Sequence, residues 1–249
     1  MEFELEAYWS EVDQCLRAAG AVAEVYGRVG TYDMTGYSLL KAGQPLVYIS
    51  TGMHGDEPAG PLALLELLRG GLLERELSFC ICPLLNPSGL AAGTRENAQA
   101  FGELDLNRDY LKRESKEVSG HVKWLEQFHP ELFISLHEDW ESRGFYYYEI
   151  NTAADDPQRY AAMAGEISKV MPMEAERRID DHEVREPGWI FHEAVADVVG
   201  CWPEAIYVAN SGCPLSFTFE SPSALAMEQR VAAQVAAVNA ALDYQYRSH

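Results

Sequence analysis

The stretch VYISTGMHGDEPAGPLALLELL, residues 47–68, places His54, Asp56 and Glu57 at the seam between an apolar run and an amphipathic one. An imidazole and a carboxylate three positions apart can ligate one ion from a tight turn. The same residues also suit a plain polar loop, with Asp56 capping a helix ahead of Pro58 and His54 an ordinary loop histidine. The pair alone does not decide, because a chain with 7 histidines meets an H-x-x-E spacing by chance about once.

A second histidine shifts the balance. His137 ends the apolar run LFISLH, and a catalytic zinc needs three protein ligands with a fourth position open for water. His54, Glu57 and His137 supply two imidazoles and a carboxylate if neighbouring parallel strands bring them together. Among the remaining histidines, His121, His129, His182 and His192 fall in predicted helices or polar loops, and His249 is terminal. His182 and His192, in DDHEVREPGWIFHE, are the rival pair and read as surface or pocket-rim residues.

Water activated by a metal needs a group to take its proton. Glu220, directly after the apolar run PLSFTF, is placed for this, and burial would raise its pKa towards neutrality. Glu138 and Asp139 follow His137, but strand alternation turns one of them away from the ion. Arg95 and Arg108 lie in GTRENAQAFGELDLNRDY, a segment without helical periodicity whose composition reads as a solvated turn. Beside a metal, one arginine would polarise a carbonyl and hold its oxyanion. The other would grip a substrate carboxylate through its fork, with Asn107 adding a neutral donor.

These residues need elements to position them. Apolar spacing predicts a helix over residues 3–19 and a hairpin over VAEVYGRVGTYDMTGYSLLKAG, with Asp33 and Gly36 as turn residues. Strands are predicted at PLVYIS, LSFCICPLLNP, HPELFISLHEDW, GFYYYEIN and PLSFTFESPS. Helices are predicted at PAGPLALLELLRGG, GHVKWLEQFHP, PQRYAAMAGEISKVM and ALAMEQRVAAQVAAVNAALDYQY. Short apolar strands alternating with helices indicate a mostly parallel sheet covered on both faces. HGDE, NPSG, HEDW and ESPS each follow a predicted strand, where chemistry gathers in such sheets.

The 249 residues, 47% hydrophobic and 23% charged, suffice to bury a sizeable core. Acidic residues outnumber basic ones 39 to 19, for a formal charge of −20, which argues against nucleic acid and anionic membranes as partners. Neither a membrane-spanning run nor a signal peptide is recognisable, so a cytoplasmic protein is expected. Five cysteines without a secretory context read as reduced thiols, with Cys80 and Cys82 on one side of a buried strand.

The order HGDE, NPSG, TREN, DLNRD, SLH and FTFES, over residues 46–222, resembles the zinc carboxypeptidase family of carboxypeptidase A-like enzymes. The resemblance implies one domain over 1–249, an α/β/α sandwich around a mixed, mostly parallel eight-stranded sheet. It implies one Zn2+ per chain on His54, Glu57 and His137, with Glu220 as general base and Arg95 polarising the carbonyl. Asn107 and Arg108 match the pair that grips the terminal carboxylate. Two departures stand out. Glu138, Asp139 and Trp140 follow His137 where these peptidases usually place a serine, and the substrate-closing tyrosine has no motif, Tyr207 in WPEAIYVANSGCP being the nearest. Glu204 in the same stretch could favour a basic side chain, but reads better as an exposed loop carboxylate.

Three functions follow from this reading. The first is a carboxypeptidase-like hydrolase acting on a peptide with a free carboxylate. The second is an N-acyl amino acid amidohydrolase, as in the related aspartoacylase and succinylglutamate desuccinylase. Those enzymes usually carry a further C-terminal β-rich domain, for which the chain after Glu220 leaves little room, and this favours a peptide. The third is a non-catalytic peptide-binding relative, disfavoured because ligands and base are all retained. Side-chain preference is expected to reside in residues 180–215.

Overall fold

The computed structural model describes residues 3–97 and 104–246, so residues 98–103 of the arginine-bearing segment lie outside the described residues. Helix α1 (Leu5–Ala18) buries Tyr8, Val12 and Leu16, one stripe at four-residue spacing. Strands β1 (Val22–Val29) and β2 (Tyr32–Leu39) form the expected hairpin. Its turn, however, is at Gly30 and Thr31, between Val29 and Tyr32, whereas Asp33 and Gly36 lie within β2. Gly36 is needed for another reason: a Cβ there would sit 2.3 Å from the Trp124 ring. A packing requirement had the composition of a turn.

Next come β3 (Leu46–Thr51), α2 (Ala59–Arg69), β4 (Ser78–Cys82) and a short helix α3 (Pro87–Ala92). Then follow α4 (Lys116–Leu125), β5 (Leu132–Asp139), β6 (Tyr146–Asn151) and α5 (Pro157–Ile167). The irregular region holds a two-residue-strand hairpin, β7 (Arg178–Ile179) and β8 (His182–Glu183), then β9 (Trp189–His192) and α6 (Glu204–Asn210). The chain closes with β10 (Leu215–Pro222) and α7 (Met227–Gln245).

Eight strands form one mixed sheet in the order β1-β2-β4-β3-β5-β10-β6-β9. The centre, β4-β3-β5-β10, is parallel throughout, and antiparallel pairings flank it at β2–β4 and β10–β6. Alternation along the central strands builds two cores. Val47, Ile49, Ile81, Leu132 and Ile134 face a layer made by α1, α2, α5 and α7. Tyr48, Cys80, Cys82 and Phe133 face the other way, onto Val118, Val122 and Trp124 of α4 and Val208 of α6. This is the three-layer sandwich the sequence implied, with both cysteines on one side of β4. The small residues Ala233, Ala237, Ala240 and Ala241 make up much of the buried face of α7, beside Gln234, Val238 and Leu242. They let that helix approach α2 and α5 closely.

The missed elements share a cause. α6 is only seven residues long and β9 only four, too short for hydrophobic periodicity to register. Pro203 opens α6 without a side-chain cap, so even its start carries no polar signal.

Candidate metal centre

The carboxyl ends of β3, β5 and β10 lie side by side, and the predicted ligands lie there. His54 and Glu57 come from the turn between β3 and α2, and His137 from the end of β5. His54 Nδ1 is 2.6 Å from Glu57 Oε1, and His137 Nδ1 is 2.9 Å from Glu57 Oε2. The two Nδ1 atoms are 3.3 Å apart. All three residues are buried, and one ligand atom from each lies within 4.8 Å of the others.

Such convergence requires positive charge. Burial opposes ionising His54, but Glu57 and Asp105 outweigh it and lift the imidazole to about 9. Burial likewise opposes a charged Glu57, yet the His54 and His137 rings hold its carboxyl well below the usual range. His137, with burial dominating, titrates below the ordinary imidazole value. A divalent cation would take the place of that proton, since metal ligands bind deprotonated. Two imidazole nitrogens and one carboxylate oxygen are the donor set of a catalytic zinc with an open position. The residues present therefore fit the metal that the resemblance implies.

Asp105 is the residue that sequence reasoning passed over. Its Oδ1 is 3.1 Å from His54 Nε2, and its carboxyl is held well below the usual range by His54 and Arg95 against the opposing effect of burial. A carboxylate accepting Nε2–H leaves Nδ1 as the lone-pair side, facing the other ligands. Its signal in the sequence is its place at the start of DLNRD, three residues before Arg108. Arg95 bridges the same groups, donating to Glu57 Oε1 at 3.2 Å and Asp105 Oδ2 at 3.3 Å.

The other motifs hold the ligand turn in place. A Cβ on Gly55 would lie 1.9 Å from the carbonyl carbon of Gly89, so HGDE and NPSG meet backbone to backbone. Gly55 N–H donates to Thr94 O at 2.9 Å. Asn86 accepts from Gly89 N to cap α3 and donates from Nδ2 to Arg95 O at 3.3 Å. Asp56 does not cap α2; Glu138 does so from β5, accepting from Ala59 N at 2.7 Å while paired with Arg230 of α7. Alternation thus turns Glu138 away from the metal ligands, as anticipated. Burial pushes its carboxyl up to about 7.

Glu220 and His137 are direct Cα partners in the parallel pairing of β10 with β5, and both line a cavity of about 490 Å³. Burial first, then the Glu57 charge, pushes the Glu220 carboxyl well above the ordinary carboxylate value. Arg95, Asn107 and Arg108 line the same cavity. Asn107 Oδ1 accepts from Glu204 N at 2.9 Å, which leaves its amide N–H groups as the donor end.

Tyr207 is not brought there. Its α6 position faces Tyr110, ring centroids 5.7 Å apart, and it lines a separate hollow with Arg113 and Phe128. The substrate-closing role read for it has no support in its position; Tyr146 and Tyr148 are the tyrosines lining the cavity. Glu204 also departs from expectation. It is 1% exposed, accepting from Tyr48 Oη at 2.6 Å and Ser50 Oγ at 2.7 Å, and burial lifts it to about 7. His121 completes that network through Tyr48 and Tyr110, as a core histidine.

The family model described as "Succinylglutamate desuccinylase/Aspartoacylase catalytic domain" matches residues 43–242, and the chain belongs to that family. "Carboxypeptidase 2" of Trichophyton rubrum is 31% identical over 108 residues, 40% of this chain and 19% of that protein. This chain therefore spans about a fifth of that relative. A candidate metallopeptidase from Shewanella baltica OS155 is 26% identical, with a TM-score of 0.82 over 97% of this chain and 92% of the other. The metallo-carboxypeptidase from Burkholderia cenocepacia shares the fold at 19% identity, with a TM-score of 0.69 over 96% of this chain and 68% of the other. Fold and family agree with the zinc carboxypeptidase-like reading and support a metallopeptidase or acyl-amino-acid hydrolase. Among the described residues, no helix is long and apolar enough to cross a membrane.

Proposed function

We infer that the chain is a zinc-dependent hydrolase that cleaves the amide bond next to a free carboxylate, removing the C-terminal residue of a peptide. The observation carrying this reading is the pairing of Glu220 with His137 at the wall of a cavity that also holds His54, Glu57, Arg95, Asn107 and Arg108. Zinc on His54, Glu57 and His137 would supply Lewis acidity and lower the pKa of water.

The chain's own residues account for the rest. Arg108 and Asn107 bind the substrate carboxylate, which sets which amide is presented. Arg95, anchored by Glu57 and Asp105, stabilises the negative charge that develops on the scissile carbonyl oxygen. Glu220 takes the proton of the attacking water and returns it to the leaving nitrogen. A carboxyl raised above its ordinary value holds the water's proton more firmly than an ordinary carboxylate until it is passed to the leaving nitrogen.

Hydrolysis of an N-acyl amino acid is the second reading, favoured by the family match over residues 43–242. Both substrates present an amide beside a carboxylate, so the same residues serve either. Purified protein loaded with zinc should be assayed against dipeptides, longer peptides and N-acetyl or N-succinyl amino acids, with and without chelator. Faster release from peptides supports the first reading, and turnover confined to N-acyl amino acids replaces it with the second. Absence of chelator-sensitive hydrolysis of any of them removes both.

A further inference from the structure

The same cavity carries, at its rim, a second cluster of ligating side chains that the proposed chemistry does not use. His182 on β8 and His192 at the end of β9 stack edge to face, ring centroids 4.8 Å apart. Asp197, in the loop after β9, addresses both. Its Oδ1 is 3.3 Å from His192 Nε2, and its Oδ2 is 3.4 Å from His182 Nε2. One ligand atom from each residue falls within 4.8 Å of the other two. The imidazoles are largely shielded, at 23% and 11% side-chain exposure for His182 and His192.

The hydrogen bonding of His192 gives the cluster its character. Its Nδ1 bonds the Glu193 carbonyl oxygen, which can only accept, so Nδ1 carries the hydrogen. Nε2 of the neutral ring then points a lone pair at a carboxylate oxygen, one acceptor facing another. A divalent cation placed between them would engage both rings and the carboxylate together. A backbone carbonyl on the far ring nitrogen is also the outer contact that orients ligating imidazoles.

We propose that His182, His192 and Asp197 form a second divalent-cation site, of the zinc class, at the rim of the cavity. Two imidazoles with one carboxylate suit zinc over magnesium or calcium, which prefer all-oxygen surroundings. Asp180 adds negative charge at the same rim, held by a 2.7 Å bond from Tyr148 Oη. The ion would tie the β7–β8 hairpin and the loop bearing Asp197 to the sheet edge, fixing one wall of the cavity. Asp197 is 63% exposed, so this site is weaker and more exchangeable than the buried one. The proposal stands independently of the hydrolytic reading.

Calorimetric titration of chelator-stripped full-length chain with zinc chloride tests it. The expected result is two binding events per chain, one tight and one weaker. His192→Ala and Asp197→Asn each abolish the weaker event and retain the tight one, and His54→Ala does the reverse. The exposure of Asp197 makes Asp197→Asn a change that leaves folding intact, checked by circular dichroism. A single event in the unaltered chain overturns the proposal, as does a weaker event that survives both rim substitutions.

Discussion

Glu220 and His137 face each other across adjacent parallel strands, Cα partner to Cα partner, although they lie in distant parts of the chain. Partners in register project to the same side of a sheet. The proposed base is therefore fixed relative to a proposed metal ligand by backbone hydrogen bonds rather than by a loop. Glu57 touches His137 directly, and after burial its charge is the next cause pushing the Glu220 carboxyl above its ordinary value. Relief of that charge by a bound cation would favour the ionised base.

Replacing Glu220 with Gln should therefore lower kcat/KM by roughly 10²–10⁴-fold while zinc content stays at one equivalent in the buried centre. Steady-state hydrolysis combined with elemental analysis by mass spectrometry measures both. Unchanged turnover would remove Glu220 from the mechanism.

Asp105 should matter for the metal. Asp105→Ala frees His54 Nε2 and should weaken zinc binding by about 10–100-fold, with Asp105→Asn, which keeps an acceptor, falling in between. Competition with a chromophoric chelator gives the affinities. Equal affinity in all three proteins would mean that the carboxylate does not orient the ring.

Arg108 is exposed and donates to the Asn107 carbonyl at 2.9 Å, free to re-aim at an incoming anion. Arg108→Gln should raise KM by about 10–100-fold, the worth of a charge-assisted hydrogen bond, with kcat little altered. Peptides ending in an amide should be processed equally poorly by both proteins. A kcat effect of the same size would move Arg108 from substrate binding to the chemistry.

Glu204 makes stability depend on pH. Its folded-state value, about 7, lies above the ordinary 4.5, so the folded chain holds a proton that the unfolded chain releases. The stabilisation is fully present below pH 4.5 and is lost as pH rises through 7. The shift corresponds to about 3 kcal/mol. Glu204→Gln, which stays neutral, should gain stability relative to the unaltered chain between pH 5 and 8, by roughly that amount. Urea midpoints across the range report it, and a constant offset between the two proteins would contradict it.

Gly55→Ala should cost about 1–3 kcal/mol through overpacking, because the added methyl meets the Gly89 backbone. Since Gly55 adjoins His54, zinc affinity should fall with the thermal midpoint. A variant of unaltered midpoint and affinity would show that the HGDE and NPSG backbones can separate without harm.

What the sequence determined by itself was whatever repeats over a long stretch or recurs in fixed order. Eight to nineteen residues of apolar spacing were enough to mark α1, α7 and β10. The succession of short polar motifs after apolar strands marked His54, Glu57, His137 and Glu220. Local pattern carries this information because strand and helix periods are properties of neighbouring residues.

Tertiary structure alone decided which polar residues meet. Gly36 has the composition of a turn and acts as a hole for Trp124; Glu204 resembles a loop carboxylate and lies buried under Tyr48 and Ser50. Tyr207 was close in sequence to the cavity and was turned out of it by a seven-residue helix, while Asp105 was found only by its bond to His54. Contacts between segments far apart in sequence leave no periodic trace. The sheet order that brings β3, β5 and β10 side by side is fixed by the packing of two whole layers, not by any stretch within it.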